Sequence, residues 1–484
     1  MSNLSLEIAA SALAAQQTGM DTVSENLANA TTPGYVAETP NLTTMPVPGP
    51  NGVGSGVEVL GISQVPAQLA QTVDNQAQAN LAQATARQQV LQQIQSLFPE
   101  PNGSGAISSQ LASFWNAWDA IDQNPTSPAP YTQVVEQAQG LATTFNQTAQ
   151  ELAQAGADAS SRLSSLVAQD NTLLAQVAQL NGQIVTVASS GASPNALVDQ
   201  RNQVVSQLAK DLGVQATDQP NGTVTLAVGG ITLVQGTTAT SLAVQQSASG
   251  GSGSGPGSSI VDTTSGLALS SVGGSAGGLL QALNTDLPSI QQQFDTTAQD
   301  LASAVNGMLS QGYTTAGTAG DPLFVLAGTS GSNATTTGIT AATLSVNPTV
   351  AADPQGTLAV SSTSGPGASA NGANAQYIAE HGSTQTGSIS YTPAGSTSPD
   401  TTANPNAAYN DLIQQIGSTV QQQNSTVQTA TSVATAAQQN LEEIAGVNTS
   451  QQLIAMLSYQ HAYQAAADVV NSANQMLQSL IQAV

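Results

Sequence analysis

Apolar side chains recur every seven residues at both ends of the chain, the spacing of helices that pack along one another. In the last helix, predicted over residues 453–484, the packing positions are Met456, Tyr459, Tyr463, Val470, Leu477 and Leu480. The first helix, predicted over residues 5–30, carries a matching set at Leu6, Leu13, Met20 and Leu27. A helix with only a thin apolar stripe gains little by folding alone. We therefore expect the two terminal helices to pair, with the rest of the chain between them. We also expect these ten positions to pack between subunits, because neighbouring copies can cover what remains exposed of the seam.

The same seven-residue spacing predicts long helices between the termini. The longest run covers residues 131–187 and has one ionisable residue, Asp170, in its seam. A carboxylate there is expected at a partly exposed or register-setting position, and a functional site is the less favoured alternative. Pro288 is expected to kink a later helix or to mark its restart. The other predicted helices cover residues 64–97, 107–123, 196–212, 280–311 and 409–444.

The pattern changes between the helices, where shorter apolar runs are separated by turn residues. Asn221-Gly222 and Gly229-Gly230 lie between such runs and predict hairpins. Residues 327–405 are rich in Ser, Thr, Gly, Ala and Pro, and only short strand-like pieces occur there, at 343–346 and 358–360. The chain is therefore predicted to be mainly α with β insertions.

These patterns divide the chain into seven segments. Residues 1–63 and 446–484 form the two halves of a terminal coiled-coil stem. Residues 64–212, 279–326 and 406–445 form the three parts of a helical middle domain. Residues 213–278 form a β-rich insertion, and residues 327–405 form an irregular or β insertion.

Charge is scarce and almost all of it is negative. Lys and Arg number 4 against 28 Asp and Glu, a net charge of −24, and 7% of residues are charged. An average soluble protein has roughly 25%. So few cations cannot neutralise phosphates, which argues against nucleic acid and anionic membranes as partners. No apolar run is long enough to span a bilayer, and no cleaved signal peptide is visible.

The sequence offers no constellation for catalysis or metal binding. Cysteine is absent, which excludes disulfides and thiolate metal sites. His381 and His461 have no neighbours at metal-ligand or catalytic-triad spacing. No phosphate loop or dinucleotide fingerprint is present. We therefore expect no enzyme activity, no cofactor and no metal.

Several motifs occur in an order that resembles a known family. The sequence Asn-Leu-Ala-Asn-Ala-Thr-Thr-Pro-Gly-Tyr at residues 26–35 resembles the N-terminal signature of flagellar axial proteins: rod, hook and hook-associated subunits. Four further stretches resemble the hook-associated protein 1 family, which joins hook to filament. They are residues 197–201 with 208–214; 277–280; 305–306 with 312–313 and 323–324; and 446–448 with 459–474.

The resemblance implies a stem made of both termini, a helical domain and outward-pointing β-rich domains. It also implies a structural adaptor exported uncleaved through the flagellar type III channel and located at the hook–filament junction. The implied partners are copies of the chain in a ring, the hook protein, the second hook–filament junction protein and an export chaperone. The resemblance is weak over residues 330–405, so the outer domain is expected to be reduced or absent.

Two alternatives remain open. Another axial protein such as flagellin would share the terminal heptads, but the motifs at residues 199–214 and 305–324 argue against it. A secreted low-charge adhesin would share the Ser/Thr/Gly-rich middle, but it would not need matching heptads at both ends.

Overall fold

The computed structural model describes residues 2–46, 54–99, 106–247, 257–362, 364, 371–385, 387–393, 396 and 398–483. Its helices in chain order are α1 (Ser2–Ala28), α2 (Gln68–Ser96), α3 (Ile107–Gln123), α4 (Pro128–Ser189), α5 (Asn195–Leu212), α6 (Gly274–Gln281), α7 (Leu287–Leu309), α8 (Pro348–Ala352), α9 (Pro354–Thr357), α10 (Ala373–Gly382), α11 (Pro405–Ala445) and α12 (Thr449–Ala483). Its strands are β1 (Glu38–Thr44), β2 (Val57–Gln64), β3 (Gln215–Asp218), β4 (Val224–Val228), β5 (Ile231–Gln235), β6 (Thr238–Ala239), β7 (Leu242–Ser247), β8 (Gly257–Asp262), β9 (Phe324–Leu326), β10 (Leu344–Val346), β11 (Ser388–Tyr391) and β12 (Asp400–Ala403). The mainly α fold with β insertions is confirmed.

The helical domain is organised around α4, whose 62 residues make a rod about 90 Å long. Its buried side chains follow the predicted heptads, so that α3, α5, α6 and α7 pack along one continuous stripe. Aromatic side chains pack against one another in the core of this domain. Phe145 of α4 stacks on Phe294 of α7 with ring centroids 4.9 Å apart, and Phe98 meets the edge of Phe294 at 5.5 Å. Such pairs fix the rotation of the helices as well as burying area.

The β-rich insertion lies on the second half of α4. Strands β3 to β6 form an antiparallel sheet in chain order, and β7 pairs with β8. Asn181 of α4 is fully buried, and its amide bonds the backbone N–H and carbonyl of Val224 and the carbonyl of Gly236. Asn171, three turns earlier, bonds both backbone groups of Leu242. Two asparagines of one helix thus hold the insertion through its backbone, where their amides replace the lost water.

Helix α7 restarts at Pro288, as predicted. A π-helical turn over Ala282–Asp286 precedes it, and α7 begins at Leu287. The proline ring offers no N–H to the carbonyl four residues earlier, on Asn284, and the widened turn accommodates that loss.

A partly buried ion pair ties this π-helical turn to two helices, α2 and α11. Arg87 of α2 donates through Nε and Nη2 to the two carboxylate oxygens of Asp286, each at 2.8 Å. Its Nη1 donates to Gln423 of α11 at 3.1 Å, and Gln423 in turn donates to the carbonyl of Ala84. The fork of one arginine thus connects α2, the π-helical turn before α7, and α11.

Two predictions for residues 327–405 are wrong in detail. Strand β10 confirms the piece at 343–346, but residues 358–360 form no strand, and the helices α8, α9 and α10 lie in a segment predicted to be irregular or β. The two short helices begin at polar caps followed by proline: Asn347 accepts from the N–H of Thr349, and Asp353 accepts from that of Gly356. Asn-Pro and Asp-Pro were the available signals for these starts.

Of the two positions expected for Asp170, the partly exposed one is wrong, and the register-setting one stays a prediction. The side chain is not partly exposed but fully buried in α4, where it faces Asp211 of α5. The heptad positions of α4 around Asp170, Leu163 and Val177, are also buried, and α5, α6 and the β-rich insertion all contact this helix.

Candidate assembly site

The two terminal helices pack against each other along most of their length, which confirms the predicted pairing. Gly19 of α1 lies against the ring of Tyr459, and Asn26 lies against Gln452, so the helices run antiparallel. A Cβ on Gly19 would come within 2.6 Å of the Tyr459 ring. The missing side chain of Gly19 therefore lets the two helices approach closely at this level.

The predicted packing residues lie at the edges of this contact. Leu6, Leu13, Met20 and Leu27 on α1 and Met456, Tyr459, Val470 and Leu477 on α12 are half-buried, whereas Tyr463 is exposed. Leu480 belongs to α12, but its side chain lies outside the described residues. On α1 the most buried positions are instead Ala9, Ala15, Gly19, Thr22, Val23 and Asn26. The role of the predicted residues in packing between subunits remains a prediction.

Helix α12 has a second apolar face that points away from α1. Large apolar side chains remain in solvent along it: Leu453, Ile454, Leu457, Val469 and Met476. Ile454 is 69% exposed and Leu457 is 57% exposed, although both lie within a regular helix. Helix α1 shows no such face among its described side chains, since its exposed positions are polar or alanine. The outward side of α12 therefore exposes large apolar side chains among polar ones, and that of α1 does not.

Asn26 closes the base of the stem. Its side chain is fully buried, and its Oδ1 accepts from the Tyr35 hydroxyl and from the backbone N–H of Glu38, both at 2.9 Å. Its Nδ2 donates to the carbonyl of Glu38 at 2.8 Å and to Gln452 of α12 at 3.3 Å. Burial and the charge of Glu38 raise the pKa of Tyr35, so its hydroxyl stays protonated and donates. One amide thus connects α1, β1 and α12.

The turn after α1 docks onto the helical domain. Gly34 has a φ of +78°, a conformation open to glycine and disfavoured for other residues. The preceding carbonyl, on Pro33, accepts a 2.6 Å hydrogen bond from Gln203 of α5. Further on, the N–H of Ala37 donates to the carbonyl of Ala445 at the end of α11. These bonds give the motif at residues 26–35 a physical role, since it builds the passage from stem to domain.

Replacing Asn26 by alanine should loosen this base. Both backbone groups of Glu38 and the Tyr35 hydroxyl would lose their partner, and each buried polar group left unpaired costs about 1–3 kcal/mol. We expect the midpoint of denaturant unfolding to fall and hydrogen exchange to rise across residues 35–44. Asn41→Ala, on an exposed side chain of β1, is the matched control. Equal effects of the two variants would contradict the assigned role of Asn26.

The histidines take no part in a shared site. His461 is exposed on α12, and His381 of α10 stacks on Tyr377 with ring centroids 3.8 Å apart. Among the described residues, no group of three or more His, Asp or Glu is placed to hold a metal ion. No helix in the same part of the chain is long and apolar enough to cross a membrane.

The family comparisons agree with this arrangement. Residues 6–35 match the model of the flagella basal body rod protein, and residues 437–483 match that of the flagellar basal body rod FlgEFG protein C-terminal region. Paired ends of this kind define an axial protein of the bacterial flagellum. Residues 65–324, more than half of the chain, match the model of the flagellar hook-associated protein FlgK helical domain. The chain belongs to this FlgK family.

The individual relatives match this chain over different lengths. Flagellar hook-associated protein 1 of Salmonella typhimurium is 33% identical over 330 residues, 65% of this chain and 58% of the relative. That of Bacillus subtilis is 25% identical over 517 residues, 99% of this chain and 97% of the relative. The structure of the flagellar hook junction protein FlgK from Burkholderia pseudomallei has a TM-score of 0.47 at 27% identity, covering 52% of this chain and 46% of that one. The chain thus spans less than two thirds of the Salmonella relative that it matches.

Proposed function

We propose that the chain is a structural adaptor that joins the flagellar hook to the filament by assembling into a ring of identical subunits. The observation that carries the proposal is the exposed apolar face of α12, opposite the face that packs on α1. An apolar face of this size on a regular helix marks an interaction surface. In a closed ring each stem lies between two neighbouring stems, so that one neighbour covers the exposed apolar face of α12.

A second copy of the chain is the occupant that fits this face best. Helix α1 supplies a surface of small and polar residues on the other side of the stem, against which an apolar ridge can pack. Like-charge repulsion between copies is weak here, since α12 carries only one charged residue, Asp468, between Thr449 and Ala483. In a chain of net charge −24, such a segment is well suited to contact its own copies.

Family membership supports the remaining parts of the proposal. The relatives are named for their association with the hook, so the hook protein and a second junction protein are the proposed axial neighbours. We also propose a cytoplasmic export chaperone that covers the apolar face of α12 before assembly. Flagellin and a secreted adhesin are less favoured, since the match over residues 65–324 is to a hook-associated family.

Immunogold labelling of intact flagella separates these functions. Antibody raised against the α4 segment should mark one narrow band at the distal end of each hook. Gold distributed along the whole filament would instead support a flagellin, and gold scattered over the cell surface would support an adhesin. Either of these two patterns would contradict the proposal.

A further inference from the structure

Two buried carboxyl groups lie where the stem meets the helical domain. Glu38, the first residue of β1, is 8% exposed, and Asp199 of α5 is 7% exposed. Asp199 Oδ1 accepts a 2.6 Å hydrogen bond from Gln64 Nε2 at the end of β2. Its carboxylate also accepts from the backbone N–H of Val36. One side chain of the helical domain therefore holds both the segment that leaves the stem and the strand that returns from it.

We call this contact of residues 36–38 and Gln64 with Asp199 the joint. Asparagine side chains complete it. Asn195, in the first turn of α5, donates to the carbonyl of Ile62 at 3.1 Å, and its own carbonyl receives the amide of Gln64 at 3.4 Å. Asn26 holds the backbone of Glu38 from the stem side. The connection between stem and domain is thus a compact hydrogen-bonded contact, closed on both sides.

The joint contains acids without a compensating cation. Asp199 faces Glu38 and Tyr35 from the connecting segment, and Glu25 of α1 adds a further negative charge. From α2, the charged residue beside α5 is again an acid, Asp74, which accepts from Gln78.

The cations of the chain are engaged or placed elsewhere. On α5, Arg201 turns to the β-rich insertion, where it donates to the carbonyl of Gly222 and pairs with Asp218 at 3.5 Å. Lys210 lines the same groove as Asp74, but it lies about three turns beyond Asp199 along α5. Arg87 pairs with Asp286, and Arg162 is exposed on α4.

We propose that this joint is a pH-sensitive lock, in which protonation of Asp199 and Glu38 seats the stem on the helical domain and their ionisation loosens it. An ionised carboxylate loses hydration on burial and gains no cation here, whereas a neutral carboxyl group keeps its hydrogen bonds at little cost. Burial, opposed by two hydrogen bonds and assisted by the charge of Glu38, raises the pKa of Asp199 to about 6. Burial, opposed by a hydrogen bond from Asn195 and assisted by the charge of Glu25, also raises the pKa of Glu38.

The direction of the pH response follows from these raised values. A released joint exposes both groups and restores their ordinary pKa, which is 3.8 for Asp199. Seating is therefore strongest below about pH 4 and weakens as the pH rises through about 6. Between the released and the seated pKa of Asp199, ionisation of this group lowers the equilibrium constant for seating tenfold for each pH unit. We therefore expect seating to be roughly 100-fold weaker at pH 7.5 than at pH 4.

Spin-label distances in the full chain test the lock. The absence of cysteine allows clean labelling at two introduced sites, Ala14→Cys on the exposed side of α1 and Gln183→Cys on that of α4. We expect a distance distribution that is narrow at pH 5 and broad at pH 7.5. In Asp199→Asn, which keeps the acceptor oxygen but cannot ionise, the distribution should become much less dependent on pH.

Two further variants keep the test decisive. Glu38→Gln removes one of the charges that raise the pKa of Asp199, so the pH at which the distribution broadens should move down. Asp411→Asn, an exposed carboxyl on α11, should leave the pH response unchanged. A distribution in the parent protein that is independent of pH, or a response that survives in both Asp199→Asn and Glu38→Gln, would overturn the proposal.

Discussion

Replacing Asp170 by asparagine should stabilise the protein at neutral and alkaline pH by about 3 kcal/mol. Asp170 is fully buried, and neither of its oxygens receives a donor from the described residues. Asp211, itself 5% exposed, faces it, and two carboxyl groups can bond each other only when one holds a proton. Burial and the charge of Asp211 raise the pKa of Asp170 to about 8 from 3.8.

The energetic cost follows from the raised pKa. Folding at pH 7 requires Asp170 to take up a proton, which costs on the order of 4 kcal/mol, since a tenfold change in a proton-binding constant is worth about 1.36 kcal/mol. Asparagine removes that cost and can still donate to Asp211, while losing about 1 kcal/mol of hydrogen bonding. Because the folded pKa is raised, the stability associated with Asp170 is fully present below about pH 4 and is lost as the pH rises through about 8.

Urea unfolding between pH 5 and pH 9 measures this effect. The parent protein should lose stability steadily across the range, and Asp170→Asn should flatten the profile and raise the midpoint most at pH 8. Asp411→Asn, exposed on α11, serves as the control and should follow the parent. A variant less stable than the parent at pH 8 would show that Asp170 is held in its charged form by something else.

Substituting aspartate at two adjacent valines of α12 should produce two different defects. Val470 is half-buried on the face toward α1, and Val469, about 100° around the helix, is exposed with the second set of apolar side chains. Val470→Asp places a carboxylate in the stem contact and should weaken the pairing of α1 and α12 by several kcal/mol. Val469→Asp should leave the single subunit intact and block ring assembly, because its carboxylate would be buried only between copies.

Two measurements on each variant separate the defects. Hydrogen exchange of α1 reports the stem of the isolated subunit, and filament growth in a complemented strain reports assembly. Val470→Asp should raise hydrogen exchange in α1 and also block filament growth. Val469→Asp should block filament growth and leave the exchange of α1 unchanged. Asn471→Asp, at an exposed neighbouring position, should change neither result, since a surface substitution usually changes the free energy of unfolding by no more than about 0.5 kcal/mol. Normal filament growth with Val469→Asp would contradict the proposed role of the second apolar face of α12.

The helices could be predicted from sequence because their periodicity is long and unbroken. Helix α3 runs over Ile107–Gln123, as predicted, and α4 extends the predicted range 131–187 by a few residues at each end. A single apolar period sustained over several turns leaves few competing structures. The same logic predicted the pairing of the ends, since neither terminal stripe could be buried otherwise.

The close contacts of the stem could not be predicted in the same way. A search for large apolar side chains favoured Met20 and Leu27, whereas α1 approaches α12 through the preceding residues, Gly19 and Asn26. Small and amide side chains carry no periodic signal, and their value lies in close approach and in partners that only the tertiary structure supplies. The roles of Asp199 and Asn181 could not be predicted either, because each side chain bonds a segment that is distant in sequence.

We propose that the chain joins hook to filament through its paired terminal helices. The most direct test is electron microscopy of a strain from which the gene is deleted, complemented with the full chain or with chains lacking residues 1–35 or 446–484. We predict bare hooks, with filament subunits released into the medium, in the deletion strain and with both truncated chains, and normal filaments only with the full chain. Filaments of normal length on the hooks of the deletion strain, or with either truncated chain, would contradict the claim.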